Sequence, residues 1–199
     1  TTDGSEPTAT SPLYEKIVPV KEALTLKGAI FAHGRQMGKT LILPVRWNLA
    51  TAKPVLGTNP TEKLLTNGIR GSLKYSDFEW CSWADNDSVS FTIDLLKLEM
   101  LNTLILGCIT NNGMAIHKPA SVRVEVSDDN SKFREAVVQS FTSEEIFREG
   151  NFIENLSLKL GGTQARYVRV TAKGPGVCPA SHVRPGQTSR IFFDEVMLE

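Results

Sequence analysis

The chain has 199 residues, enough for one large domain or two small ones, and its 41% hydrophobic and 22% charged residues are those of an ordinary folded protein. Its 22 Lys and Arg balance its 22 Asp and Glu, so it lacks the cation surplus that displaces counterions from phosphates; no nucleic acid is expected, and the partner should be neutral. The most apolar stretches, 41–45 and 104–109, are strand-sized and hold Pro44 and Gly107; they fall far short of the ~20 residues of a membrane-spanning helix, and no membrane insertion is expected.

In chain order, the opening Asp3-Gly4-Ser5-Glu6-Pro7 is turn chemistry, followed by strand candidates at 24–32 and 39–46. Residues 1–46 are few for an independent core and begin abruptly at a turn, as though a first strand were missing. The first residue is Thr1 rather than Met, which suggests a processed or excised fragment. Residues 47–54 have no sustained period and read as a linker, and Gly57, Asn59 and Pro60 follow them.

From there period-2 patterning dominates. Val89, Phe91, Ile93 and Leu95 alternate with Ser88, Ser90, Thr92 and Asp94, and the rhythm returns at Val122-Val124-Val126, Leu156-Leu158-Leu160 and Val168-Val170. Each is a strand with one face on a core. Turns are expected at Asp128-Asp129-Asn130-Ser131, Gly161-Gly162 and Gly174-Pro175-Gly176. Thr142 and Glu145 have the spacing of a capping box, which opens a single helical turn. Many short strands and little helix predict an all-β sandwich or barrel.

The three cysteines, Cys81, Cys108 and Cys178, cannot all pair within one chain, and their spacing fits no zinc ribbon or redox motif. Cys108 reads as a small buried hydrophobe, and a Cys81–Cys178 disulfide is left open. His33, His117 and His182 are too scattered in sequence to argue for zinc. Glycosidic hydrolysis needs converging carboxyl groups, whereas the acidic residues cluster in turn-like stretches: Asp85 with Asp87, Asp128 with Asp129, Glu144 with Glu145. No nucleophile elbow or phosphate loop occurs, so no catalysis is expected from this chain.

Two stretches resemble known families. Thr2-Asp3-Gly4-Ser5-Glu6-Pro7-Thr8, Ser11-Pro12-Leu13-Tyr14 and Leu24-Thr25-Leu26-Lys27-Gly28-Ala29-Ile30-Phe31 resemble the small Ig-like C-terminal domain of chitobiases and β-N-acetylhexosaminidases, over 1–46. Leu65-Thr66-Asn67-Gly68, Tyr75-Ser76-Asp77-Phe78-Glu79-Trp80, Pro119-Ala120-Ser121-Val122, Ala165-Arg166-Tyr167-Val168 and Ile191-Phe192-Phe193-Asp194-Glu195-Val196 resemble the discoidin, or factor V/VIII type C, jelly-roll family, over 55–199. The tandem resembles the tail of Bacteroides-type family 20 glycoside hydrolases, whose His-x-Gly-Gly-Asp-Glu type catalytic motif is absent here.

The resemblance implies a truncated Ig-like module followed by a discoidin-like jelly roll, as the non-catalytic tail of a β-N-acetylhexosaminidase. An α-L-fucosidase or another exo-glycosidase is the alternative parent. It implies a periplasmic, outer-membrane-attached or secreted protein. The tail either binds a glycan containing N-acetylhexosamine or galactose, or packs against the catalytic domain as a structural support. Sugar-binding members use loops at one end of the sandwich, and a sugar needs an aromatic face with a few planar polar groups. Tyr75, Phe78 and above all Trp80 are the aromatic candidates; Asn111, Asn112, His117, His182 and Arg184 are the polar ones. The same family often holds a structural calcium ion, for which Asn67 and Glu195 stand at the matching positions, Asn67 without the usual acidic charge.

Overall fold

The computed structural model describes residues 1–16, 18–83 and 88–199; the acidic pair Asp85 and Asp87 lies outside them. The chain divides into two compact units, Thr1–Trp47 and Asn48–Glu199. Among the described residues no helix is long and apolar enough to cross a membrane.

The first unit is built on an antiparallel hairpin of β1 (Leu24–Ala32) and β2 (Arg35–Val45). Two residues join the strands, His33 and Gly34, both at positive φ (49° and 76°). That is the turn whose twist matches the right-handed twist of paired strands. Thr1 extends the edge of β1 by exchanging backbone bonds with Lys27 in both directions, and Glu6 forms an ion pair with Lys27. Few side chains are buried, Pro7 and Val45 among them, as the shortness of the segment dictates.

In the second unit β3 (Val55–Leu56), β4 (Cys81–Trp83), β5 (Ser88–Asn111), β6 (Ser121–Ser127), β7 (Arg134–Ser140), β8 (Asn151–Lys173) and β9 (Ile191–Leu198) hydrogen-bond in the order β4-β9-β5-β8-β6-β7, with β3 also on β5. β5 and β8 are antiparallel partners over most of their length. Each bends midway and serves two layers. Residues 88–94 of β5 and 167–173 of β8 lie with β3, β6 and β7; residues 103–111 and 151–159 lie with β4 and β9. The bend falls at two register shifts, Asp94/Glu99 and Leu101/Thr103. There Leu96 takes φ 70°, and Gly161 and Gly162 take φ 65° and 75°. Gly161-Gly162, expected to separate two strands, instead kinks one continuous strand, because glycine allows the left-handed backbone a bulge requires.

The inward faces form one core that includes Phe91, Ile93, Leu104, Leu106, Val124, Leu158, Val170 and Phe193. Burial of each such side chain contributes about 1.5–3 kcal/mol before chain entropy is set against it. The expected helical turn is α1 (Ser143–Ile146), with both arms of the Thr142/Glu145 capping box formed. Of the segment 47–54, expected as a linker, Trp47 falls in the first unit and residues 48–54 in the second. Ala50 is fully buried, Leu49 N–H donates to Leu198 O, Ala52 N–H donates to Thr66 O, and Asn48 Oδ1 accepts from Leu198 N–H. A segment without period escapes detection when its role is to satisfy the polar edge of the core rather than to form a strand.

Gly71 shows how closely the chain passes over this unit: a Cβ there would overlap the Trp80 indole, whose Nε1–H donates to Ser72 O at 3.0 Å. Gly71→Ala should therefore lower unfolding free energy by about 1–3 kcal/mol, the usual cost of overpacking. Urea denaturation measures this, and an unchanged midpoint would contradict the packing described.

Candidate functional site

One end of the sandwich has a second small core: Trp80, Ile109, Ile116 and Phe192, with Tyr75, Met114 and Ile153 packed on it. The segments 69–80, 111–117 and 174–190 meet there. Ile116 bridges Arg190 in parallel, Arg190 N–H donates to Ala115 O at 2.9 Å, and His117 N–H donates to Arg190 O at 3.1 Å. Within the first segment, the Asp77 carboxylate accepts from Ser72 N–H at 2.9 Å and Glu79 N–H at 3.1 Å. These bonds fix the loop that presents Phe78, whose side chain is 92% exposed.

The structure reassigns the leading aromatic candidate. Trp80 is 5% exposed, with its N–H spent on Ser72 O, so neither ring face is open to a ligand. It is the apolar foundation of the loop. Tyr75 is half-buried and meets Phe192 edge-on, ring centroids 6.3 Å apart. The Arg190 guanidinium lies 5.7 Å from the same Phe192 ring, and its Nη2 donates to Met114 O at 3.1 Å. Sequence reasoning missed Arg190, which follows a loop without pattern. Buried polar atoms here that lack a hydrogen-bond partner among the described residues include Arg190 Nε, Asn112 Oδ1, Thr110 Oγ1 and His117 Nδ1. Asn111 is half-buried and closes the loop through reciprocal backbone bonds with Ile116.

The remaining polar candidates do not line an open face. His117 is fully buried and His182 nearly so; their Nε2 atoms are 3.2 Å apart. Arg184 N–H donates to His182 Nδ1 at 3.0 Å, which leaves His182 its proton on Nε2 and makes it the donor to His117. Phe147 packs edge-on against both rings, at 5.0 and 6.1 Å. Burial, then the neighbouring His182, pull His117 down to a pKa of about 4, so it is neutral at physiological pH. The Arg184 side chain is exposed and reaches Gln187. Of the three histidines judged too scattered, two therefore meet, 65 residues apart in sequence.

All three cysteines are free and buried, so no Cys81–Cys178 bridge is formed. Desolvation pushes the Cys81 thiol up to about 12, and the Cys178 thiol lies 3.4 Å from Ser189 Oγ.

Where the first turn of the domain meets its last strand, Arg70 Nε pairs with the fully buried Asp194 Oδ2 at 2.6 Å, and Gly71 N–H donates to the same oxygen. Beside it Glu195 is also fully buried. One of its oxygens accepts from Gly68 N–H at 3.0 Å; the other, Oε1, has no partner among the described residues. Desolvation raises its pKa to about 9. Asn67 is engaged on both sides, Oδ1 by Ile69 N–H and Nδ2 by Glu79. An orphaned, buried carboxylate oxygen fits a hard cation; Asn67 Oδ1 accepts one backbone bond and keeps a second lone pair with which to join it.

Comparison with known proteins fits this architecture. Residues 50–183 match the F5/8 type C domain family, and residues 1–41 match the chitobiase/beta-hexosaminidase C-terminal domain. No curated protein sequence matches. Among solved structures, CpGH89CBM32-6 produced by Clostridium perfringens is 18% identical, with a TM-score of 0.51 over 77% of this chain and 98% of its own. A Streptococcus pneumoniae fucose binding module, SpX-3, is 18% identical, with a TM-score of 0.46 over 77% and 97%. The C-terminal domain of a chitobiase from Bacteroides fragilis is 16% identical, with a TM-score of 0.41 over 69% and 78%. With the family match covering well over half its length and a bent-strand sandwich in place, this chain belongs to the F5/8 type C domain family.

Proposed function

We propose that this chain is the non-catalytic, glycan-binding tail of an exported β-N-acetylhexosaminidase, periplasmic, outer-membrane-attached or secreted. The observation that carries the binding role is Phe78: a fully presented aromatic ring on a loop that Asp77 rigidifies and Trp80 anchors. An exposed ring of this kind offers the flat apolar face on which the C–H side of a pyranose stacks. Arg190 Nε and Asn112 Oδ1, buried and unpartnered, are among the polar groups of that end whose hydrogen-bonding capacity is unspent, and would suit sugar hydroxyls once the loops part to admit a ligand. The match of residues 1–41 to the chitobiase/beta-hexosaminidase C-terminal domain supports the parent enzyme, and with it N-acetylhexosamine- or galactose-containing glycans. Binding there holds a tethered catalytic domain at high effective concentration near substrate.

A glycan array tests the reading. The wild-type chain should retain a defined set of glycans; Phe78→Ala should lose them with its thermal midpoint unchanged. Trp80→Ala should fail differently, losing about 3–5 kcal/mol of stability as a large core truncation. An array blank for well-folded wild-type protein would remove the binding role.

A structural role for the first unit has its own support. Its hairpin exposes Ile30, Leu41 and Ile42, the first at 73%, apolar surface that a catalytic domain would cover. Deleting residues 1–47 from the whole enzyme should then lower the melting temperature of the catalytic domain; no change would leave the hairpin without that role.

The calcium site expected at Asn67 and Glu195 belongs to the same proposal, with Glu195 Oε1 as its anchor. A carboxyl held near 9 in the fold and near its ordinary 4.5 when unfolded binds more protons in the native state between those values. Stability without metal should therefore fall as pH rises from about 5 to 9. Glu195→Gln should flatten that decline. Calcium should raise the wild-type thermal midpoint, most at the alkaline end, and leave the Gln variant unmoved; an equal response of the two would exclude Glu195 as the ligand.

A further inference from the structure

The buried histidine pair has a third member. Cys178 brings its sulfur into the group formed by His117 and His182, so that the three potential ligand atoms lie within 4.8 Å of one another. The residues come from two separate parts of the chain. His117 follows the turn after β5, where Ala115 is held at φ 52°. Cys178 and His182 lie on a compact loop closed by three backbone bonds, Cys178 N–H to Gln187 O, Gly186 N–H to Cys178 O and His182 N–H to Pro179 O. We propose that His117 Nε2, His182 Nε2 and Cys178 Sγ form a binding site for a thiophilic divalent ion, zinc being the best fit.

Geometry favours this. Two imidazole nitrogens bound to one tetrahedral zinc at about 2.05 Å stand about 3.3 Å apart; here they stand 3.2 Å apart before any ion is placed. Donor chemistry points the same way. Two imidazoles and a thiolate are soft-to-borderline ligands that select zinc or cobalt over calcium and magnesium. His117 already has a free lone pair on Nε2, since it accepts the His182 proton. Among the described residues, Ser189 Oγ lies 3.4 Å from the sulfur and is a weak candidate for the fourth position. A surface depression of about 410 Å³, lined by Glu144, Phe147, Arg148, Glu149, Pro179 and Ser181, includes Phe147, the ring that packs edge-on against both imidazoles.

Loading has a definite proton balance. The Cys178 S–H bond breaks, its proton leaves to solvent, and the sulfur pair binds the metal. The His182 proton moves from Nε2 to Nδ1 with no net release. Because Nδ1 then donates, it loses the Arg184 N–H bond, and the 182–184 turn must rearrange. Zinc binding thus reshapes the exposed segment that carries Val183 and Arg184.

The test titrates the complete, tag-free, metal-stripped chain with cobalt and then zinc. One equivalent of cobalt should give a thiolate-to-cobalt charge-transfer band with tetrahedral d–d absorption; zinc should bleach both, and calcium should not compete. Cys178→Ser should lose the charge-transfer band, while Cys81→Ser keeps it. On the wild-type protein alone, zinc should release about one proton per ion near neutral pH, from the thiol, and raise the thermal midpoint. The proposal is overturned if wild type gives no charge-transfer band, if the band survives Cys178→Ser, or if zinc binds without proton release. In each of those cases the pair is a buried hydrogen bond and nothing more.

Discussion

Everything in the sandwich hangs on the antiparallel pairing of two very long strands that bend together. β5 and β8 run 24 and 23 residues, far beyond the ~5–6 typical of a strand, and neither could stay flat over that length without losing one face to solvent. The bend at Leu96 and Gly161-Gly162 turns each strand from one layer into the other. The hydrogen-bond ladder that defines one sheet thereby defines the second as well. Core, layer spacing and loop placement follow from that shared kink. The glycines are on one strand only, and its partner accommodates the same corner with a leucine at positive φ, a local strain the surrounding core must hold in place.

The alternation of residues 88–95 and its later echoes made the strands legible, because period 2 is a local property of a half-buried strand. The capping box at Thr142 and Glu145 was equally local. What escaped was whatever depended on contacts distant in sequence. Gly161-Gly162 has the composition of a turn, and only the continuity of β5 opposite makes it a bulge. Residues 48–54 carry no pattern because they seal an edge. At the candidate site, aromatic residues could be found but not their roles: Phe78 and Trp80 are two positions apart, and the register of a single loop puts one in water and the other beneath it. Cys178 offered only an open pairing with Cys81, since its neighbourhood with His117 and His182 appears only when the end of β5 and the 174–190 segment are brought together.

Two fully buried carboxyls, Asp194 and Glu195, sit side by side at one seam. Asp194 is balanced by Arg70 and a backbone N–H, while Glu195, its neighbour on β9, is only half satisfied. Two adjacent carboxyls cannot both be ionised cheaply in a dry interior with one guanidinium between them. The arrangement favours a proton on Glu195, whose carboxyl desolvation pushes up to about 9. The histidine pair meets the same cost of burial with a hydrogen bond between its Nε2 atoms.

The domain also enters and leaves its own fold at a single place. Asn48 and Leu49, its first residues, are bonded to Leu198 on the last strand. A module whose ends lie side by side behaves as a cassette: it can be spliced into a tight surface loop of a host protein while prying open only a few ångströms of the host backbone. The host need not reorganise, and the guest keeps every strand of its ladder. For an engineer wishing to give an unrelated enzyme a new surface, this geometry makes residues 48–198 a portable part.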